Sequence, residues 1–109
     1  WTSLTMSPHC DDEKKYAIVD QVVADYQALG QSGGEILGRK IIDVNIVNGA
    51  RVTLDDGSWV LVRASSNKPE LVVVVESMRG EDDMRALFRS EVKPRLAKFA
   101  EVGGYNQEI

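Results

Sequence analysis

The stretch 63–69 reads Arg-Ala-Ser-Ser-Asn-Lys-Pro and contains no acidic residue before Glu70. An arginine offers a planar fork of N–H donors that matches two phosphate oxygens, while hydroxyls and the backbone amides of a tight turn can satisfy the others. A lysine adds positive charge, and a proline limits the conformational freedom of the loop exit. The candidate phosphate ligands are therefore Arg63, Ser65, Ser66, Asn67 and Lys68.

Residue types alone also fit an ordinary connection between strands. Serine, asparagine, lysine and proline are common in turns for conformational reasons. Composition therefore leaves a phosphate site and a solvated loop equally open.

The order of residues around this loop resembles the last domain of the α-D-phosphohexomutases, the phosphoglucomutase and phosphomannomutase group. Those enzymes carry a strand with a DGSW-type turn, an R-x-S-N/G-T-x-P loop and a strand that ends in glutamate. Here the matching segments are 56–59, 63–69 and 71–76. Asn48-Gly49 is similar to the family's hairpin turn, and DDEKKY at 11–16 is similar to its entry into this domain.

The resemblance implies a function for the loop. In these four-domain enzymes, which interconvert hexose 1- and 6-phosphates, the last domain binds the phosphate already on the substrate and closes the cleft. Arg63 and Ser65 match phosphate ligands of the motif. Ser66 stands where the family usually has Asn or Gly, and Asn67 stands where it usually has Thr, but both keep donors. Lys68 matches the end of the motif.

The resemblance also implies what the rest of such an enzyme supplies. A phosphoserine in the first domain transfers the phosphoryl group, and Mg²⁺ is held by aspartates in the second. This chain lacks the T-A-S-H-N-like, D-G-D-G-D-like and G-E-M-S-like segments of those domains. We therefore expect no catalytic residue, metal ligand or cofactor in this chain, and no activity from it alone. Its expected partners are a hexose phosphate and the remaining domains of the parent protein.

Hydrophobic spacing predicts a helix over 11–29, capped by Asp11 or Asp12 and ended by Gly30. Its apolar stripe is expected to pack in the core and comprises Tyr16, Val19, Val22, Val23, Tyr26 and Leu29. The glycine-rich stretch 31–38 lacks a Gly-Lys-Ser/Thr ending, so it is interpreted as a turn rather than a phosphate loop.

Alternation of apolar and polar residues predicts four strands after this turn, over 42–46, 51–54, 58–62 and 71–75. Asn48-Gly49 and Asp55-Asp56-Gly57 supply the turns between them. A second helix is predicted over 81–99 and should be kinked or divided at Pro94. The predicted fold class is α+β, a four-stranded antiparallel sheet with two helices on one face. The resemblance implies a fold like half of the TATA-binding protein.

At 109 residues the chain fits a single domain, with 1–10 as strand or linker and 105–109 as a loose tail. It begins with Trp1 rather than methionine, so we expect it to be a fragment of a longer protein, and the resemblance implies that it is the C-terminal domain of a four-domain enzyme.

Bulk properties exclude several function classes. A net charge of -4 argues against a nucleic-acid binder, and no apolar run approaches the ~20 residues that span a bilayer. A single cysteine, Cys10, rules out an internal disulfide and favours a reduced, cytoplasmic setting. Cys10 and neighbouring His9 are interpreted as ordinary strand residues rather than a catalytic pair.

Two alternatives share the same elements. One is a free-standing anion-binding or regulatory module without catalysis. The other is an interaction or nucleic-acid domain that uses the sheet face opposite the helices, against which the negative charge counts.

Overall fold

The computed structural model describes residues 2–46, 49–65, 68–97 and 99. Six strands form one antiparallel sheet: β1 (Thr2–Met6), β2 (Glu35–Ile36), β3 (Arg39–Asn45), β4 (Ala50–Leu54), β5 (Trp59–Ala64) and β6 (Leu71–Ser77), in the order β1-β6-β5-β4-β3-β2. The helices are α1 (Asp12–Gln31), α2 (Glu81–Leu87) and α3 (Lys93–Ala97), with a π-helical turn, Phe88–Val92, between the last two. The predicted tail 105–109 lies outside the described residues.

The predicted class, α+β with an antiparallel sheet, is confirmed, but the expected number of four strands is wrong. The four predicted strands are β3 to β6, and β1 and β2 extend the sheet at its two edges. β1 belongs to the stretch that was interpreted as strand or linker, and it pairs with β6. β2 has two residues and turns into β3 through Leu37 and Gly38, both at positive φ. A strand this short is below the length at which periodicity gives a signal.

Alternation along the central strands places one face of the sheet in the core. Its buried strand residues include Val52, Leu54, Val60, Val62, Leu71, Val73 and Val75. On this face α1 contacts β3, β4 and β5, while α2 contacts β6 and β1. Both predicted helical segments therefore cover the same face. The half-buried Trp59, Leu61 and Arg63 lie on the opposite face of β5, as their alternation predicts.

The buried side of α1 begins one residue earlier than predicted. The buried residues of α1 are Lys15, Ile18, Val19, Val22 and Tyr26. Tyr16 is 58% exposed, so its expected core position is wrong. A helix turns by about 100° per residue, so Tyr16 lies at the side of the buried face once Lys15 faces the sheet.

The two ends of α1 also differ in detail from prediction. Asp11 occupies the N-cap position but makes no side-chain capping bond. Gly30 lies inside the helix, so the prediction that it ends α1 in a left-handed conformation is wrong. That conformation belongs to Gly33 at φ 72°, and the Gly34 N–H donates to the Leu29 carbonyl at 2.8 Å. These are features of a Schellman ending, in which N–H groups just beyond the helix donate to carbonyls of its last turn.

The predicted burial of β3 is corrected at Ile42. The pairing shifts between Ile41 and Asp43, so that Ile42 is the additional residue of a β-bulge and is 62% exposed. Ile46, beyond the end of β3, is 48% exposed, whereas Ile41 and Val44 pack against the core. Of the predicted Asn48-Gly49 turn, Asn48 lies outside the described residues.

The second helical segment divides as Pro94 predicts. The Lys93 N–H donates to the carbonyl of Phe88, five residues earlier, so the π-helical turn ends where the proline follows. A proline has no N–H to donate to the preceding turn, which favours such a local change in hydrogen bonding. Arg95 of α3 stacks on the ring of Tyr26 with its guanidinium carbon 4.5 Å from the ring centre, and it thereby joins α3 to α1.

A buried arginine network holds one end of the β5–β6 hairpin. Arg39, 3% exposed, donates from Nη2 to Asp83 Oδ1 at 2.6 Å and from Nη1 to Asp56 Oδ2 at 3.0 Å. Ser77 Oγ donates to Asp83 Oδ2 at 2.6 Å, and the Ser58 N–H donates to Asp56 Oδ1 at 3.0 Å. The network thus links the start of β3, the turn before β5, the end of β6 and the first turn of α2.

The network changes the acidity of its carboxyls. Burial raises the pKa of Asp56, but hydrogen bonds from Ser58 and the charge of Arg39 outweigh it, so the pKa falls below its ordinary value of 3.8. At Asp83, burial is likewise outweighed by hydrogen bonds from Arg39 and Ser77, and the pKa falls below 3.8. A carboxyl with a lowered folded-state pKa contributes stability above its unfolded pKa and loses it as the pH falls through the folded value.

Arg39→Met should lower the free energy of unfolding by about 3 kcal/mol near pH 7, because it leaves two partly buried carboxylates without their cation. The difference from wild type should shrink as the pH falls below about 3.8, where Asp56 and Asp83 become protonated. Urea unfolding near pH 7 and near pH 3 measures both effects.

Arg85→Met is the matched control, because Arg85 pairs with the exposed Glu81 four residues earlier. Its expected cost is under ~1 kcal/mol. Equal losses for the two variants, or a difference from wild type that persists at low pH, would contradict the role assigned to the Arg39 network.

Candidate phosphate-binding site

The candidate loop joins the end of β5 to the start of β6. Arg63 is the penultimate residue of β5 and pairs with Val72. Ser65 follows the strand directly, is 9% exposed, and donates its backbone N–H to the Glu70 carbonyl at 2.9 Å. An anion contact at Ser65 would therefore have to come from its hydroxyl. Lys68 is exposed at the loop exit, as expected for a solvated side chain. Ser66 and Asn67, the other two predicted ligands, lie outside the described residues.

The segment that precedes α1 braces the exit of this loop. The Cys10 N–H donates to the Pro69 carbonyl at 2.8 Å, and the Leu71 N–H donates to the Pro8 carbonyl at 2.9 Å. His9 forms an antiparallel bridge with Glu70. Cys10 is buried, whereas His9 is exposed and its Nε2 lies 3.4 Å from Oδ1 of Asp11, which is exposed as well. The position of the loop is thus set by a segment about sixty residues earlier in the chain.

Three successive carbonyls at the loop exit accept hydrogen bonds inside the protein. The Lys68 carbonyl accepts from the Glu70 N–H at 2.8 Å and from Lys15 Nζ at 3.1 Å. The Pro69 carbonyl accepts from Cys10, and the Glu70 carbonyl accepts from Ser65. A carbonyl oxygen carries partial negative charge and would repel an anion, so pairing these oxygens favours an anion site at the loop.

A groove of about 710 Å³ lies between α1 and the ends of the central strands, and Arg63 is among the residues that line it. The groove is lined by Tyr16, Val19, Asp20, Val23, Ile46, Gly49, Arg63 and Ala64. Its exposed aromatic, Tyr16, was assigned to the core from the sequence, and only the one-residue rotation of α1 brings it beside the site. Sequence reasoning also missed Lys15. A lysine in the first turn of a helix carries no signal that it will be buried.

Gly49 is required where the β3–β4 turn approaches Arg63. Its φ is 133°, which side chains rarely adopt. A Cβ built at this position would fall against the Val62 carbonyl oxygen and 2.7 Å from the Arg63 Cβ. The absent side chain therefore lets the two strands come close enough to hold the Arg63 backbone in place.

A second arginine on the same sheet face as Arg63, Arg51, packs against an aromatic ring instead of lining the groove. Arg51 of β4 stacks on Trp59 with its guanidinium carbon 4.3 Å from the ring centre, and Trp59 Nε1 donates to Glu76 Oε2 at 2.7 Å. Arg51 lies away from the loop and does not line the groove. It therefore serves as a reference arginine for experiments on Arg63.

The described residues do not fit a divalent metal ion. No group of three or more His, Cys, Asp or Glu is placed there to hold one. The carboxylates of Asp56 and Asp83 are both bound to Arg39.

Known proteins resemble this chain over most of its length. The family model for the phosphoglucomutase/phosphomannomutase C-terminal domain matches residues 9–93, which include the braced loop, both flanking strands and α1. A probable phosphoglucosamine mutase of Methanothermobacter thermautotrophicus is 39% identical over 72 residues, which is 66% of this chain and 14% of that protein.

Two other relatives align with similar parts of the chain. A phosphopentomutase of Thermococcus kodakarensis is 31% identical over 94 residues, which is 84% of this chain and 19% of that protein. A phosphoglucosamine mutase of Methanococcus aeolicus is 36% identical over 70 residues, which is 62% of this chain and 13% of that protein. The chain spans less than a fifth of the length of each relative.

Gly49→Ala should destabilise the protein and displace Arg63. The positive φ costs roughly 1–2 kcal/mol for a side chain, and the collision with the β5 backbone should add about 1–3 kcal/mol. Gly38→Ala is the matched control, because Gly38 also has positive φ, at 77°, but a Cβ there meets nothing within 4 Å. Urea unfolding of both variants measures the difference, and equal costs would show that Gly49 is not needed for the close approach.

Proposed function

We propose that this chain, which belongs to the phosphoglucomutase/phosphomannomutase family, is the substrate-phosphate-binding domain of a mutase that interconverts hexose 1- and 6-phosphates. The observation that carries the proposal is the braced loop: Arg63 stands at the end of a central strand, and the carbonyls at the exit of its loop are already paired. Because the carbonyl oxygens of Lys68, Pro69 and Glu70 already accept hydrogen bonds inside the protein, their repulsion of an anion at the loop is reduced.

Arg63 would bind the phosphate that does not react. A guanidinium pairs with a phosphate through two parallel N–H···O bonds. Because Arg63 lies near the end of β5, the strand fixes the backbone position from which its side chain extends. The Ser65 hydroxyl would add a donor, and Ser66, Asn67 and Lys68 would complete the set, as the motif implies. The contact between Arg63 and this phosphate would be remote from the reacting oxygen. Its binding energy would therefore orient the substrate and close the cleft rather than act on the bond that breaks.

The sugar and the chemistry would belong to other parts of the parent protein. One relative bears the name of a pentose enzyme and two bear the name of a glucosamine enzyme, which supports a domain that recognises the phosphate common to these substrates. A Mg²⁺ ion and the phosphorylated serine implied by the family would be held elsewhere. The chain alone would then be inactive, and its fold would resemble half of the TATA-binding protein.

In the full-length protein, Arg63→Ala should lower kcat/KM by roughly 30-fold to several thousand-fold, because truncating one partner of a desolvated charge pair costs ~2–5 kcal/mol. Arg63→Lys should recover only part of this loss, since lysine keeps the charge but not the fork. Lys68→Ala should cost much less, because the Lys68 side chain is exposed.

Arg51→Ala is the control, since it removes an arginine from the same sheet face without touching the groove. Steady-state kinetics with a hexose 1-phosphate, after circular dichroism has shown that each variant is folded, gives the comparison. An Arg63→Ala enzyme within about threefold of wild type, or one matched by Arg51→Ala, rules out the clamp.

This chain should bind inorganic phosphate weakly, with a Kd on the order of millimolar, because the other walls of the cleft are absent. In a titration followed by ¹H–¹⁵N NMR, the amides of residues 63–68 should shift more than any others. Shifts concentrated around Gly33 and Gly34 instead would place the anion at the ending of α1 and contradict the proposed site.

A further inference from the structure

We propose that Lys15 is a positioning residue for the phosphate-binding loop. This inference rests on the proposed function. The ammonium of Lys15 lies at 3.1 Å from the Lys68 carbonyl, a contact between residues 53 positions apart. Lys15 would hold the loop exit at a fixed distance from α1, so that the donors of the loop face a ligand in one arrangement.

The burial of Lys15 is unusual for its residue type. The residue is 3% exposed, whereas Lys14 beside it is exposed. Lysines are almost never fully buried unless the ammonium is paired, because removing a charge from water costs several kcal/mol. The ammonium also lies 5.2 Å from the centre of the Tyr16 ring, at the wall of the groove. Burying this ammonium costs free energy, and its hydrogen bond to the Lys68 carbonyl of the loop offsets part of that cost.

The geometry explains what the contact does to the loop. The Lys68 carbonyl accepts from both Lys15 Nζ and the Glu70 N–H, so two donors from different elements determine its direction. That carbonyl is therefore turned towards α1. Without Lys15, only the Glu70 N–H of these two donors would still bind the Lys68 carbonyl. The peptide unit between Lys68 and Pro69 could then rotate and turn its oxygen towards a bound phosphate.

A structural role alone would give a different result from a positioning role. If Lys15 only filled the core, its loss would lower the melting temperature and leave the ligand affinity of the folded protein unchanged. If Lys15 positions the loop, its loss must weaken phosphate binding in the folded protein. Lys15→Met separates the two, since methionine retains an apolar stem of similar length and cannot donate a hydrogen bond.

In the full-length protein, Lys15→Met should raise both KM for the sugar phosphate and Ki for inorganic phosphate by about tenfold, because a hydrogen bond from a charged group is lost. kcat should change much less than KM. Lys14→Met is the matched control, which removes the same charge one residue away and should leave KM and Ki within about twofold of wild type. Thermal unfolding of each variant shows how much stability was lost.

The outcomes separate this inference from the proposed function. If Arg63→Ala raises Ki for inorganic phosphate and Lys15→Met does not, the Lys15 role is overturned and the clamp stands. If neither variant raises Ki, the proposed function falls as well. Should Lys15→Met fail to fold, the wild-type chain provides the test: added inorganic phosphate should shift the ¹⁵N signal of the Lys15 ammonium and not that of Lys14. An unchanged Lys15 signal at saturating phosphate overturns the inference.

Discussion

The pairing between the segment before α1 and the exit of the β5–β6 loop is the constraint on which the candidate site depends. Backbone hydrogen bonds join Cys10 to Pro69 and Pro8 to Leu71. Because α1 begins two residues after Cys10, the same bonds fix where the first turns of α1 lie relative to the loop. That placement brings Lys15 to the Lys68 carbonyl and Tyr16 to the groove beside Arg63. The β5–β6 loop, which would otherwise be an exposed connection, is thereby bound to the start of α1 and to the segment before it.

The two ends of the β5–β6 hairpin are stabilised by different physical means. At the end where β5 starts and β6 finishes, Arg39 is bound by Asp56 and Asp83 in a largely buried ionic network. At the other end, the contacts are mainly backbone hydrogen bonds and the ammonium of Lys15. At the first end, Asp56 and Asp83 already pair with Arg39, so this arginine is not available to bind an anionic ligand. At the second end, Arg63 lines the groove together with Asp20, and it is this end that we propose binds the phosphate.

Several features of the fold could be read from residue patterns because local physics determines them. The alternation in β5 places Trp59 and Val60 on opposite faces whatever packs above them, and Pro94 interrupts helical hydrogen bonding wherever the helix lies. The edges of the sheet carried no comparable signal: β2 is two residues long, and the bulge at Ile42 changes which side chain faces the core. For a related reason, the residue pattern predicts that α1 ends at Gly30, whereas in the structure the left-handed ending lies at Gly33. Both glycines permit an ending, and only the path of the chain into β2 selects one.

The order of residues in 56–76 by itself determined that the chain carries the phosphoglucomutase/phosphomannomutase loop, because the motif lies within one continuous hairpin. Alternation also determined the sheet face to which Arg63 points. Only the tertiary structure decided which residues from elsewhere approach that loop. Gly49 meets Arg63 across a strand pair, and Lys15 meets Lys68 from a helix 53 residues away in sequence. No local pattern marks such contacts. They arise because β6 pairs with β5 on one side and with β1 on the other, which places the start of α1 next to the loop exit.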